Sequence, residues 1–318
     1  MKMRAGRKDK GTGYGFGKVI LFGEHFVVYG LPAIASAIGD TTVAEITPAK
    51  KYAIIDDRPA TAGYKKKKKG EMERSMKLLL DYMRIDVKKT PVEIRLSGNL
   101  FCTSGIGASA AMATAIARAF SELYGLALSD AHVNRISYEA EKGSAGTPSG
   151  IDNTCATYGG LLWFVKALEG GENVMEPLRV KKPLEIVLGS TGISKETKEV
   201  VDDVRKQKKK DPVKYGRLFL QYVKLAKEAR IALEGGDSRK LGELMDENQE
   251  LLREMKLSCK EAEEIITAAK GAGAPGAKIT GTGRGGYVIA LTPGKALQEK
   301  VAKAIEGKGY RAMKTTIG

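Results

Sequence analysis

Cysteine, histidine and long apolar runs are all scarce in this chain, and each scarcity excludes a class of protein. Its three cysteines, at positions 102, 155 and 259, lie far apart and match neither a disulfide framework nor the ligand spacing of a zinc site. No apolar run approaches the roughly 18 residues that a membrane-spanning helix needs. The first ten residues are basic and polar, without the apolar core of a signal peptide. We therefore expect a cytoplasmic protein with reduced thiols and no membrane partner.

Two motifs that mark large enzyme classes are also missing. The chain has no G-x-x-x-x-G-K-[ST] segment, which excludes nucleotide binding of the P-loop type. It has no G-x-S-x-G segment, which excludes the nucleophile elbow of the α/β-hydrolases. Of the two histidines, His25 and His132, the second falls in a predicted helix, where a surface or packing role is expected.

Positive charge is abundant: 53 lysines and arginines against 38 acidic residues give a net charge of +15. Such a field attracts polyanions, which include nucleic acids, membrane surfaces and phosphorylated ligands. The lysine-rich segments 65–69 and 206–210 contain none of the aromatic residues on which nucleic-acid bases stack. We therefore expect solvated helix ends or loops in a soluble enzyme that does not act on nucleic acid. A basic nucleic-acid-binding protein is kept as an alternative.

Hydrophobic periodicity predicts an α+β fold in two domains. Alternating or short apolar runs predict strands at residues 18–22, 32–38, 42–46, 91–96, 161–165, 184–188, 277–280, 287–291 and 311–315. Apolar residues at helical spacing predict helices at 71–84, 109–123, from 129 onward, at 295–305, and through most of 194–270 with breaks near 211, 235 and 258. The change to helices after about residue 182 predicts domains of residues 1–182 and 183–318.

The first of three glycine-rich segments, residues 103–111, leads directly into the predicted helix 109–123. The first turn of a helix has unpaired N–H groups and a positive dipole end, and glycines let a phosphate approach that backbone closely. The hydroxyl of Ser109 could contact a phosphate or a magnesium ion. A tight loop with Ser109 as the helix N-cap explains the same composition equally well.

The second segment, residues 281–286, matches the dinucleotide-binding pattern G-x-G-x-x-G. That pattern requires a helix after it, whereas residues 287–291 are predicted to form a strand. The segment therefore joins two strands. Four glycines in six residues exceed what a hairpin needs, which favours a loop whose backbone packs against another loop or a ligand.

The third segment, residues 143–153, contains two candidate acidic groups. Ser149 and Asp152 have the S-x-x-D spacing of a capping box, and spacing alone favours that interpretation over proton abstraction by Asp152. Glu141 lies near the predicted end of the preceding helix, where a negative charge opposes the helix dipole. A nearby cation would offset that cost.

Four segments, in the same order along the chain, resemble the signatures of the mevalonate kinases. These enzymes are a branch of the galactokinase, homoserine kinase, mevalonate kinase and phosphomevalonate kinase (GHMP) superfamily. The segments are FGKVILFGEHFVVYG at 16–30, GIGASA at 105–110, GTPSGIDN at 146–153 with ATYGG at 156–160, and KITGTGRGG at 278–286. Together they span nearly the whole chain, so the set is far more specific than any one motif.

The resemblance implies a fold and an activity. The expected fold has an N-terminal domain like domain 2 of ribosomal protein S5 and an α+β C-terminal GHMP-kinase domain, with the active site in the cleft between them. The expected activity is ATP-dependent phosphorylation of (R)-mevalonate to 5-phosphomevalonate in isoprenoid biosynthesis, with Mg²⁺ as the metal. A homodimer is a further expectation.

Residue roles follow from the same resemblance. Asp152 matches the base that takes the substrate hydroxyl proton, and Lys18 matches the lysine that polarises that hydroxyl and stabilises the transferred phosphoryl group. Ser109 and Glu141 match the magnesium ligands. The residues expected to line the substrate pocket are Glu24, His25 and Tyr158. Those expected to hold the ATP phosphates are Ser104, Gly105, Ile106, Gly107, Ala108, Ser109 and Ala110, with residues 281–286 packed against the phosphates.

The chain departs from the family pattern at several positions. Ala145 stands where a histidine often precedes G-T-P-S-G, and Arg284 replaces a frequent small residue in the last loop. Arg284 could add positive charge near the phosphates. Two alternatives stay open within this fold: another GHMP kinase, acting on phosphomevalonate, homoserine or a sugar, and a ligand sensor without catalytic activity.

Overall fold

The computed structural model describes residues 8–103, 105–145, 148–193, 195 and 197–318. Its mixture of helices and strands confirms the predicted α+β class. The strands are β1 (Gly11–Phe22), β2 (Ala33–Pro48), β3 (Ala53–Asp56), β4 (Val92–Ser97), β5 (Leu161–Val165), β6 (Val174–Leu178), β7 (Leu184–Ser190), β8 (Ala277–Thr280), β9 (Tyr287–Leu291) and β10 (Arg311–Ile317). The helices are α1 (Tyr64–Met83), α2 (Ala108–Leu123), α3 (Asp130–Ala145), α4 (Ile151–Tyr158), α5 (Thr197–Lys210), α6 (Pro212–Gly235), α7 (Ser238–Glu254), α8 (Lys260–Gly271) and α9 (Lys295–Glu306).

The chain divides into two compact units. The first consists of the residues up to Lys18 together with Ala37–Gly159, and the second of Val19–Ser36 together with Gly160–Gly318. Strands β1 and β2 therefore contribute residues to both units. A boundary at residues 182 and 183 stays a prediction, because these units are defined by packing and each is built from two stretches of the chain.

In the first unit the strand order is β3-β4-β2. β4 pairs antiparallel with β2 and parallel with β3. The alternating residues of β4 are buried, as their spacing predicts, and they share one core with the apolar stripes of α1, α2 and α3. The buried stripe residues are Met76, Leu79, Met112, Ile116, Phe120, Leu123, Val133, Ile136 and Ala140.

The N-terminal half of β1 lies closer to α2 than most side chains would allow. Three alternate glycines of the strand face three alanines one helical turn apart: Gly11 faces Ala119, Gly13 faces Ala115 and Gly15 faces Ala111. A Cβ atom on these glycines would lie 2.1, 2.2 and 2.3 Å from the facing carbonyl oxygens. The small residues on both elements thus permit a strand–helix contact made by backbone atoms.

In the second unit an antiparallel sheet has the order β10-β7-β9-β8. Residues 33–36 of β2 pair with β5, which pairs with β6. Helices α8 and α9 pack on this sheet, and α7 packs along β8. The predicted breaks between the helices have clear physical causes. Asp211 and Asp237 are the N-caps of α6 and α7, and Pro212 occupies the first turn of α6.

Three predicted elements have different bounds in the structure, and two strands were not predicted. Helix α1 begins at Tyr64 rather than at residue 71, so it includes the lysine run 65–69. β2 is one continuous strand where two were predicted, and β1 begins at Gly11 rather than at residue 18. Strands β3 and β6 were not predicted. Among the described residues, no helix is both long and apolar enough to cross a membrane.

Candidate active site

The first unit brings a lysine and an aspartate into direct contact. Lys18, in β1, places its Nζ atom 3.1 Å from Oδ1 of Asp152, the second residue of α4. The side chain of Lys18 is 7% exposed and that of Asp152 is 32% exposed. Burial by itself lowers the pKa of Lys18, but the charge and hydrogen bond of Asp152 raise it above its ordinary value. Lys18 is therefore an ammonium group at neutral pH.

Glu141, in α3, belongs to the same cluster of charges. It is buried, and burial together with the negative charge of Asp152 raises its pKa well above the ordinary value, while Lys18 lowers it. A buried carboxyl beside a carboxylate is a group that a cation would stabilise in its ionised form. Glu141 is thus suited to hold a metal ion when one is bound.

Asp152 does not belong to a capping box. The N-cap of α4 is Gly150, with φ of 93°, and no side chain caps the helix. Ser149 accepts a hydrogen bond from the N–H of Ile151 at 3.3 Å instead. The capping interpretation, which spacing alone favoured, is therefore wrong, and the carboxylate of Asp152 is directed at Lys18.

The predicted phosphate loop leads to the start of α2 beside Lys18. Gly107, with φ of 72°, is the N-cap of α2, and no side chain caps this helix either. A Cβ atom on Gly107 would lie 2.9 Å from Cγ of Lys18, and the N–H of Lys18 donates to the carbonyl of Ile106 at 2.9 Å. A Cβ on Gly105 would meet nothing within 4 Å. The glycines therefore bring uncapped N–H groups close to the lysine and leave open space above the loop.

Ser109 is the second residue of α2 and is exposed. The N-cap of α2 is Gly107, so the interpretation of Ser109 as the N-cap is wrong. Ala108 and Ala110 occupy the same turn and are buried. Ser104, and residues 146 and 147 of the third glycine-rich segment, lie outside the described residues.

An arginine that the sequence did not single out supports this turn of α2. Arg58 is buried and holds the carboxylate of Asp56 with two hydrogen bonds, of 2.9 and 2.8 Å. Its Nη1 also donates to the carbonyl of Ala108 at 3.3 Å. Nothing in the local sequence Asp-Asp-Arg indicates this contact, because it joins residues 50 positions apart.

In the second unit, Glu24 and His25 are both buried. Glu24 forms an ion pair with Lys278 of β8, and neither side chain has exposed surface. The Nε2 atom of His25 lies 2.6 Å from the carbonyl oxygen of Thr282. Lys278 was not predicted as a site residue, although its place in the K-I-T-G-x-G segment could have drawn attention to it.

The glycine loop 281–286 joins β8 to β9, which confirms that it is not a dinucleotide-binding turn. A Cβ atom on Gly283 would lie 2.7 Å from the carbonyl oxygen of Leu257, and one on Gly285 would lie 2.8 Å from that of Ile193. The glycines thus let the loop pack against two neighbouring segments, as their number predicts. Arg284 forms an ion pair with Asp203 of α5, so a partner already balances its charge.

Comparison with known proteins identifies the family. The profile of the GHMP kinases N-terminal domain matches residues 72–160, and that of the GHMP kinases C-terminal domain matches residues 229–311. A mevalonate kinase of Pyrococcus horikoshii is 35% identical over 325 residues, which cover 94% of this chain and 93% of the relative. The chain belongs to the GHMP kinases.

Structural similarity to solved proteins supports the same family assignment. Mevalonate kinase of L. major, crystallised in complex with R-mevalonate, matches with a TM-score of 0.93 and 40% identity over 98% of this chain and 97% of that one. Mevalonate kinase of Methanococcus jannaschii matches with a TM-score of 0.79 and 26% identity over 99% of both chains. The predicted GHMP fold and kinase class are therefore confirmed.

In this GHMP kinase the structure brings some of the predicted site residues into contact with one another. Within the first unit, Lys18, Asp152 and Glu141 interact with one another, and Gly107 contacts Lys18. Tyr158 ends α4 and is 52% exposed; partial burial and the charge of Asp130 raise its pKa.

Cys155 was not singled out as part of this charged cluster. Its thiol is buried one helical turn after Asp152. Burial first, and then the charges of Asp152 and Glu141, raise its pKa to about 12. Cys155 is thus a neutral thiol rather than a nucleophile.

Proposed function

We propose that this GHMP kinase transfers the terminal phosphoryl group of ATP to the 5-hydroxyl of (R)-mevalonate, giving 5-phosphomevalonate and ADP in isoprenoid biosynthesis. The observation that carries the proposal is the 3.1 Å contact between Lys18 and Asp152 beside the uncapped start of α2. The choice of substrate is supported by relatives that are named mevalonate kinases and by the R-mevalonate in the L. major complex.

In this reaction Asp152 accepts the proton of the substrate hydroxyl. The hydroxyl oxygen forms a bond to the terminal phosphorus, the bond from that phosphorus to the bridging oxygen breaks, and ADP leaves. Base assistance of this kind is typically worth about 10²–10⁴ in rate. Lys18 remains an ammonium group beside the reacting oxygens, where it stabilises negative charge on the transferred group.

The start of α2 fits the triphosphate. Gly105, Gly107 and the small residues Ala108 and Ala110 leave the N–H groups of the first helical turn unobstructed by side chains. Ile106 is held to the backbone of Lys18 by its carbonyl. The same turn therefore offers hydrogen-bond donors to phosphate oxygens, and the contact of Ile106 keeps the glycine loop next to Lys18.

Glu141 and Ser109 fit a magnesium ion. Burial and the negative charge of Asp152 raise the pKa of Glu141, so a cation beside this carboxyl would favour its ionised form. The described residues contain no group of three or more His, Cys, Asp or Glu side chains arranged for a metal. Mg²⁺ at kinase sites commonly uses only one or two carboxylates and completes its shell with phosphates and water. When bound, the ion would neutralise charge on the phosphates.

For the substrate, the proposal keeps the expectation that Glu24, His25 and Tyr158 lie around the bound mevalonate. We also propose a cytoplasmic location, no nucleic-acid or membrane partner, and a homodimer as the assembly.

The test is release of ADP from Mg-ATP in the presence of (R)-mevalonate, measured with a coupled assay. Phosphomevalonate, homoserine and galactose form a substrate panel in parallel reactions. We expect turnover with (R)-mevalonate and little with the other three. Preferred turnover of another member of the panel would replace the substrate, and absence of turnover with all four would leave the ligand-sensor alternative.

A further inference from the structure

In the second unit, Glu24 of the signature segment 16–30 forms a completely buried ion pair with Lys278. Nζ of Lys278, in β8, donates to Oε1 of Glu24 and to the carbonyl oxygen of Ile279 at 2.7 Å. The amide of Asn248, in α7, approaches Oε2 of Glu24 at 3.5 Å. Both carboxylate oxygens of Glu24 therefore face donors from the protein itself. Neither side chain of the ion pair has exposed surface, so Glu24 is poorly placed to contact a substrate directly.

The chain that follows Lys278 makes two more contacts with the same signature segment. The hydroxyl of Thr280 accepts from the N–H of Ile20 at 3.1 Å and donates to the carbonyl of Ile20 at 2.8 Å. The carbonyl of Thr282 lies 2.6 Å from Nε2 of His25. Three alternate residues of one segment thus hold the chain from position 20 to position 25.

His25 is the residue that these contacts constrain most. Its φ of 54° is a left-handed conformation that a residue with a side chain rarely adopts. Because a carbonyl oxygen only accepts, Nε2 must carry the proton that it shares with Thr282. In a neutral ring Nδ1 is then an acceptor, and it is buried with no hydrogen-bond partner among the residues described. The contact with Thr282 thus leaves Nδ1 as an acceptor without a donor among the described residues, in a residue that is 6% exposed.

The energetics of buried ion pairs favour a role other than stability. Removing two charges from water costs about as much as their attraction returns, so replacing such a pair by apolar residues is often neutral or stabilising. Glu24 and Lys278 lie 254 positions apart in the sequence, so their pairing fixes two distant segments at one point. A pair that contributes little net stability can still specify the orientation of the residue beside it.

We propose that Glu24 and Lys278 are positioning residues, which fix the backbone of His25 and the protonation of its ring so that Nδ1 accepts a hydrogen bond from a substrate hydroxyl. The inference rests on the proposed function for the identity of that hydroxyl. It replaces the expectation that Glu24 itself contacts the substrate. Mevalonate, a hydroxy acid with two hydroxyl groups, can supply such a hydrogen-bond donor.

The test compares three variants of the full chain: Glu24→Gln, Lys278→Met and the double variant Glu24→Gln/Lys278→Met. Each single variant removes one charge and leaves its partner buried, whereas the double variant removes both and can fold where a single variant does not. The matched control is Glu299→Gln/Lys314→Met, which removes a half-exposed ion pair of the same unit. Steady-state constants are measured separately for (R)-mevalonate and for Mg-ATP.

A second readout uses the fact that the chain contains two histidines, His25 and His132. With ¹⁵N-labelled histidine, the ring nitrogens of His25 give signals that report which nitrogen is protonated, and His132→Gln assigns them. We expect the variants to lose the single Nε2–H form of His25. We also expect kcat/KM for (R)-mevalonate to fall by up to about 10²-fold, as small displacements at a reacting centre can cause. The KM for Mg-ATP and all constants of the control should stay near those of the unmodified protein.

Two results would overturn the proposal. If kcat/KM for (R)-mevalonate falls while the His25 signals are unchanged, Glu24 contacts the substrate itself. If the folded double variant keeps both the activity and the His25 signals, the pair positions nothing. Failure of the proposed function is recognised separately, because the unmodified protein would then not phosphorylate (R)-mevalonate, while the spectra would still show whether the pair holds His25.

Discussion

The side chains of Lys18 and Asp152 differ in exposure, and that difference supports the roles proposed for them. The lysine is nearly enclosed, and Asp152 raises its pKa against the effect of burial, whereas about a third of the aspartate side chain is open to solvent. Glu141 is more deeply buried than Asp152 and has a raised pKa. In the proposed reaction, Asp152 is the more exposed carboxyl group and is the one assigned to the incoming hydroxyl, whereas Glu141 is the one that a cation would stabilise.

The first prediction concerns the charge of Asp152. Asp152→Asn keeps the size of the side chain but removes its ability to accept a proton, so we expect kcat to fall by about 10²–10⁴. Binding of Mg-ATP should persist, because the phosphate loop and the start of α2 are unchanged. The measurements are ADP release with saturating substrates and nucleotide binding by calorimetry.

An exposed lysine–aspartate pair of the same unit is the control for this prediction. Lys77 and Asp81 lie 2.8 Å apart on the surface of α1, with side chains 76% and 62% exposed. Surface pairs of this kind contribute little to stability, so Asp81→Asn should retain normal turnover. Near-normal activity of Asp152→Asn would remove Asp152 from the role of base.

The second prediction concerns pH and His25. Burial lowers the pKa of His25 below its ordinary value of 6.5; the contact with Thr282 raises it, and the charge of Arg284 lowers it further. As pH falls from 6.5 through the lowered pKa, the unfolded chain gains a proton that the folded chain does not bind. His25 therefore contributes stability that is fully present above pH 6.5 and is lost in that window.

Urea unfolding at a series of pH values between about 7.5 and 5 tests this contribution. We expect His25→Gln to show a smaller fall in the free energy of unfolding across the window than the unmodified protein. The matched variant is His132→Gln, which removes the other histidine, an exposed one. Equal pH slopes for the two variants would contradict the prediction.

The sequence could indicate candidate residues where a motif gave the residue type, but it could not predict an environment that depends on a distant partner. Motifs drew attention to Lys18 and Asp152, which the structure places in contact, while their roles in the reaction stay a prediction. The burial of Glu24 depends on Lys278, and the support of α2 depends on Arg58; both contacts join residues far apart in sequence. Local periodicity contains no information on such pairs.

At the scale of elements, the contact between β1 and α2 depends on glycine. A Cβ atom on Gly13 would lie 2.2 Å from the carbonyl oxygen of Ala115, a backbone atom that cannot move without displacing the helix. The start of α2 and Lys18 of β1 are the elements of the proposed site. Adding a single methyl group at this contact should therefore reduce both stability and activity.

The third prediction is that Gly13→Ala and Gly216→Ala have opposite effects on stability. Gly13→Ala should lower the free energy of unfolding by about 1–3 kcal/mol or more, since it overfills a closed contact. Gly216 is an exposed position inside α6, and a Cβ atom there would meet nothing within 4 Å. Gly216→Ala should raise stability by about 0.5–1 kcal/mol, because alanine has the higher helix propensity. Chemical denaturation of both variants is the measurement, and equal shifts would contradict the packing argument.

Element boundaries could be predicted best where capping residues mark them. The breaks before α6 and α7 follow from Asp211 with Pro212 and from Asp237. The start of α1 was missed because a lysine run in the first helical turns opposes the dipole and suggests a loop. In the structure Lys65 donates to the carbonyl of Asp56 at 2.6 Å, a tertiary contact that offsets that cost. The glycines of β1 similarly hide the alternation by which a strand is detected.

At the scale of the whole molecule, many charged side chains form ion pairs whose charges cancel, such as Lys68 with Glu71 and Arg230 with Glu176. The excess of lysine and arginine over acidic residues leaves a net charge of +15. What remains is a positive field that attracts anions at long range. ATP and mevalonate are both anions, and ATP has the larger charge.

The fourth prediction follows from this field. Raising the ionic strength from about 0.01 M to about 0.15 M shortens the screening length from roughly 30 to 8 Å, so attraction between the protein and an anion weakens. We expect KM to rise more for Mg-ATP than for (R)-mevalonate, while kcat changes little because the bound groups remain in contact. A protein whose main partner is nucleic acid would instead bind duplex or single-stranded DNA with a steep salt dependence and without any effect of ATP. Titrating both kinds of ligand over the same salt range separates the two cases. Equal salt dependence of the two KM values would show that the field does not guide the nucleotide.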